Sequence, residues 1–109
     1  MFLWKKKKKK KKDIASNDWP FADSENVACF TSRRILKGEE WIQYVFHDSE
    51  DGAWQFHPQS GTPSSDMALV TLRQVFDLDG SIGQLADLPL GWRAWRQSPD
   101  AAWIREPNT

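Results

Sequence analysis

Apolar positions fall into short runs separated by turn residues, and the spacing inside each run predicts the element it forms. Val27 to Thr31 (VACFT), Trp41 to His47 (WIQYVFH), Ala53 to His57 (AWQFH), Met67 to Val70 (MALV) and Trp92 to Arg96 (WRAWR) are short and rich in β-branched or aromatic residues, as strands are. Leu72, Val75 and Phe76 recur at i, i+3 and i+4 behind Thr71, which can cap a helix over LRQVFDL. A second stripe, Ile82, Leu85 and Leu88, starts at Asp79 or Ser81 and stops at Pro89. In SRRILKGEE, a serine, an apolar pair and Gly38 predict one helical turn ending at glycine. The pattern predicts an α+β fold: a small, mainly antiparallel sheet of four to five strands with two to three short helices on one face.

Between WIQYVFH and AWQFH stands SEDG, in which Asp51-Gly52 is a strong turn signal. A two-residue turn there sets His47 opposite Phe56 and Phe46 opposite His57. A four-residue SEDG loop slips the pairing by one position on each strand. Either length leaves His47 and His57 on opposite faces, because side chains alternate along a strand. His47, Asp48, Glu50, Asp51 and His57 form the one metal-like cluster, but opposed faces keep the histidines from sharing an ion, so no metal and no cofactor is expected. The same opposition argues against an acid–base enzyme built on His47, Asp51 and His57, since such groups must converge in a pocket.

The flanks read differently. Residues 1–12 form an apolar and poly-lysine arm, 13–26 an irregular lead-in rich in Asp, Asn, Ser and Pro, and 27–109 a single α+β domain. Trp19, Pro20 and Phe21 are apolar enough to pack onto that domain, and PQSGTPSSD at 58–66 is a mobile loop by composition. In the WRAWR strand, Trp92 and Trp95 differ in parity, so one fills the core and the other is exposed. Arg93 shares a face with Trp95, and Arg96 with Trp92, which permits cation–π stacking.

Charge changes the picture most. The net charge of this 109-residue chain is zero, yet Lys5 to Lys12 supply eight positive charges, leaving seven lysines and arginines against 15 acids, or −8, in the remainder. A body of that charge repels nucleic acid over most of its surface and suits a basic protein partner. Eight adjacent lysines repel one another, so the arm is expected to be disordered; Phe2, Trp4 and Lys5 are candidates for weak contact with an anionic membrane. The apolar residues precede the charges, the reverse of a signal peptide, which favours the cytoplasm or the inner membrane surface. Cys29 is the single cysteine, so no intrachain disulfide can form, and it reads as a small core residue. Seven tryptophans fit a shallow core, with Trp41 or Trp54 inside. Tryptophan and arginine are typical interface anchors, so the expected contact surface joins Asp48, Glu50 and Asp51 to Trp92, Arg93, Trp95 and Arg96.

Two motifs carry a resemblance. Asp51, Gly52, Ala53, Trp54, Gln55 and Phe56 follow a strand, and a short helix with Asp77 and Asp79 precedes Pro89, Gly91 and Arg93 or Arg96. Across residues 27 to 96 this order is similar to the bacterial immunity protein thirty-three domain family, long described as a domain of unknown function. The resemblance implies an α+β, non-enzymatic protein that binds and neutralises a cognate toxin inside the cell. It assigns no catalytic or binding residues, and it leaves the oligomeric state open.

Overall fold

Six short strands join in one sheet in the computed structural model, which describes residues 19–109. The arm positions Phe2, Trp4 and Lys5, and the lead-in before Trp19, lie outside the described residues. In chain order the elements are β1 (Ala28–Ser32), α1 (Arg33–Leu36), β2 (Tyr44–His47), β3 (Trp54–His57), β4 (Met67–Thr71), α2 (Leu72–Leu78), β5 (Trp92–Trp95) and β6 (Ile104–Pro107). Two 3-10 turns, Ser64–Asp66 and Gly80–Leu85, precede β4 and follow α2. The strands lie in the order β4-β1-β3-β2-β5-β6. β1 and β3 run parallel; every other neighbouring pair is antiparallel.

Local chemistry sets the helix starts. The Ser32 hydroxyl accepts from Arg34 N–H to open α1, and Gly38, at φ 78°, donates to Ile35 O to close it. Thr71 and Gln74 form a capping box on α2. Asp79 caps the following 3-10 turn, in which Ile82 and Leu85 are buried, and Leu88, just beyond its end, is buried too, all at most 2% exposed. A spacing of three places Ile82 and Leu85 in one line, and three residues per turn is the 3-10 repeat.

Cys29, Val45, Trp54, Phe56 and Ala94 point from the sheet into one core shared with Leu72, Val75 and the 3-10 turn. The irregular lead-in contributes too. Phe21 is 6% exposed in that core, edge-on to Trp54, and the Trp54 indole N–H donates to Asp23 Oδ2 at 2.6 Å. Trp19 and Phe21 thus pack onto the domain, as their apolar character predicts.

Two expectations are corrected. The sheet has six strands rather than four or five, because Ile104–Pro107 pairs with β5 although it contains charge and proline. An edge strand tolerates both, since one side of its backbone faces solvent. The loop at 58–66 is tied down rather than free: Arg34 donates to Ser60 Oγ and Gly61 O at 2.6 Å each and pairs with Asp66 at 2.9 Å.

Candidate functional site: the open face of the sheet

The hairpin takes the four-residue alternative. Tyr44 pairs with His57, Val45 with Phe56, Phe46 with Gln55 and His47 with Trp54. Gly52, at φ 73°, donates to Asp48 O, and Asp48 N–H donates to Ala53 O. The register puts His47 on the core side, stacked on Trp54 at 3.9 Å, and His57 on the opposite side beside Phe46. His47 Nδ1 lies 2.7 Å from Leu88 O and donates to it, which fixes its ring.

The helices and the 3-10 turn after α2 share one core, so among the described residues no helix covers the other, open face of the sheet. Register assigns its rows. Leu69, Phe30, Gln55, Phe46, Arg93 and Glu106 follow one another across the strands, and His57, Tyr44, Trp95 and Ile104 form the next row. The aromatic residues are partly exposed, whereas Leu69 and Ile104 near the two edges are 64% and 43% exposed. Tyr44, Trp95, Arg93 and Glu106 line an open groove of about 390 Å³. Its charges are internally matched, because Arg93 Nε and a terminal guanidinium nitrogen reach the same Glu106 oxygen at 2.9 and 2.8 Å.

A hydrogen-bond chain runs along the same face. Gln55 Nε2 donates to Asp48 Oδ2 at 2.7 Å, His57 Nε2 lies 2.8 Å from Gln55 Oε1, and the Thr62 hydroxyl lies 2.7 Å from His57 Nδ1. Gln55 Oε1 can only accept, so His57 carries its proton on Nε2 and Thr62 donates to Nδ1. Burial lowers the His57 pKa, opposed by the smaller pull of Asp48. The neutral ring thus fixes the 58–66 loop relative to the hairpin end.

At that end, Asp48, Glu50 and Asp51 surround a polar cleft of about 350 Å³ together with His47, Gly91 and Asn108. Glu50 and Asp51 are exposed, and Asp48 is partly so. Among the described residues no three metal-ligating side chains gather, and no helix is long and apolar enough to cross a membrane.

The expected contact surface therefore divides. Arg93 and Trp95 stand on the open face, and Asp48, Glu50 and Asp51 at the hairpin end. Arg96 does not belong to it. At 1% exposure its guanidinium turns inward to Asp79, Ser81, Ile42 O and Pro99 O, stacked against Trp103 and Trp41 rather than Trp92. Trp92 is likewise on the core side, packed against the buried cluster. Phe30, Tyr44, Phe46 and Glu106 were missed, although strand parity counted from Val45 and Phe56 places Tyr44 and Phe46 outward.

No family model matches the chain, and no curated protein or solved structure matches it either.

Proposed function

We propose that this protein is a non-enzymatic binding protein that holds a basic protein against its open sheet face and acidic hairpin end. This is the role of an immunity protein that neutralises a toxin by contact inside the cell. The observation that carries the reading is the sheet face that no described helix covers, where Tyr44 and Trp95 sit side by side across β2 and β5. Contiguous apolar surface rimmed by polar groups is how soluble proteins present a protein interface, and tryptophan, tyrosine and arginine are its usual anchors. The body's charge of −8 supplies the complementary field. The motif resemblance over residues 27 to 96 points the same way.

The test uses the full chain as bait in the cytoplasm of its own host, beside a Trp95→Ala chain whose thermal midpoint is unchanged. The reading expects one basic protein, retained in stoichiometric amount by the wild type, released by salt and lost by the variant. Co-expression should then suppress that protein's toxicity. Retention of nothing, or equal retention by both chains, overturns it.

A further inference from the structure

The groove lined by Tyr44, Trp95, Arg93 and Glu106 has two kinds of wall, aromatic and charged. Gly91 N–H donates to His47 O and Arg96 N–H to Gln43 O, so the carbonyls of Gln43 and His47 turn towards β5 and that of Tyr44, one position on, turns away. Tyr44 and Trp95 are therefore a non-hydrogen-bonded pair, the kind whose side chains stand closest. Among the described residues neither ring is stacked on another and no guanidinium lies over either. Arg93 shares their face but turns to Glu106 instead.

Glu106 meets Arg93 with one oxygen only. Arg93 Nε and a terminal guanidinium nitrogen both end on Oε2, and among the described residues nothing donates to Oε1. Glu106 lies opposite Arg93 and diagonally from Trp95, whose own partner is Ile104, a separation that a long side chain can bridge.

We propose that this groove takes an arginine side chain of the basic protein held by the open face. The inference rests on that reading of the face and adds which group of the partner anchors there. A guanidinium is flat and weakly hydrated, so it can lie against the Tyr44 or Trp95 ring while one N–H edge donates to Glu106 Oε1. A lysine ammonium, compact and strongly hydrated, suits a flat ring less well. A carboxylate would meet ring faces that carry partial negative charge and an oxygen that can only accept. Arg93 does not oppose entry, because its charge is matched by Glu106 and the pair presents one open acceptor. The net negative charge outside Lys5 to Lys12 favours the same sign of ligand.

One side chain on its own binds weakly, so N-acetylarginine amide serves as the probe, titrated into the full chain to about 50 mM at constant ionic strength. Proton–nitrogen NMR should show a saturating shift of the Trp95 indole N–H and none of the Trp54 indole, which is buried. N-acetylcitrulline amide, nearly the same shape without the charge, should bind about tenfold more weakly, and Glu106→Gln should weaken the arginine probe by a similar factor. The citrulline comparison needs no variant. Absence of a saturating shift, equal binding of the two probes, or undiminished binding by Glu106→Gln overturns the proposal. If the arginine probe fails while a basic protein is still retained by the wild type and lost by Trp95→Ala, the function stands and only its arginine anchor falls. A bound probe with no protein retained overturns the function, and the anchor with it.

Discussion

The Arg96 guanidinium lies 4.2 Å from the Trp103 ring centroid and donates to the Asp79 carboxylate at 2.6 Å, inside a residue only 1% exposed. Its other donors reach Ile42 O, Ser81 Oγ and Pro99 O at 2.9, 2.9 and 3.1 Å. One side chain thus joins the end of β5 to the segment before β2, the 3-10 turn and the loop leading to β6. Desolvating a guanidinium is costly, and only a full set of partners offsets it.

Removing that side chain strands the Asp79 carboxylate and two carbonyls, so Arg96→Ala should cost about 3–5 kcal/mol. Arg96→Lys should recover little of this, because a single ammonium lacks the planar fork that serves four partners at once. Urea unfolding followed by tryptophan fluorescence gives both values. A loss below about 1 kcal/mol for Arg96→Lys would show that charge alone holds the site.

Stability should also step down with acid in two separate windows. Burial holds the His57 imidazole below its ordinary 6.5, against the Asp48 charge. The unfolded chain therefore binds the proton more readily, and His57's contribution, complete above pH 6.5, is lost as pH falls below it. Burial pushes the Asp79 carboxyl up, but hydrogen bonds from Ser81 and Arg96 outweigh it and leave the group below its usual 3.8. Its share is present above pH 3.8 and is lost as pH falls further. Thermal midpoints should fall between about pH 7 and pH 5 in the wild type, and His57→Gln should flatten that step while leaving the fall below about pH 4. An identical profile in the variant would place the first titration elsewhere.

Much of this fold was legible because its local signals agree with its packing. Thr71 points to the start of α2 and opens it, and Asp79 opens the element that carries Ile82 and Leu85, although that element is a 3-10 turn ending at Leu85 rather than a helix reaching Pro89. Separation of the two histidines followed from strand parity, which holds for any even loop. The failures have separate causes. Alternation held through β5, where Trp92, Ala94 and Arg96 turn to the core side and Arg93 and Trp95 to the open one, but the expected contact surface drew on both faces of that strand. β6 was hidden because edge strands carry the residues that argue against strands. The open face was only half visible, since nothing local in Phe30 or Glu106 says which strands will flank them.

Cys29 offers a probe of the core that needs no substitution. The residue is fully buried, and burial pushes its thiol up to about 12, so almost no thiolate exists at neutral pH. A thiol reagent at pH 8 should label the native chain only as fast as the chain opens, and at once in denaturant. Rapid native labelling would mean that the β1 region opens locally, without global unfolding.

The two halves of the proposed contact surface should separate kinetically. Asp48, Glu50 and Asp51 stand at the hairpin end, where Glu50 and Asp51 meet solvent, so they act on an approaching basic protein through a screened, long-range field. Replacing the three by Asn, Gln and Asn should slow association by about tenfold at low salt and leave dissociation nearly unchanged. Trp95 acts only after contact, by filling the groove it shares with Tyr44, so Trp95→Ala should speed dissociation by about tenfold or more and barely alter association. Surface plasmon resonance with the captured partner resolves both rates. Should the acid variant instead change only dissociation, those carboxylates would lie inside the desolvated contact, and the open face would have to be redrawn around the hairpin end.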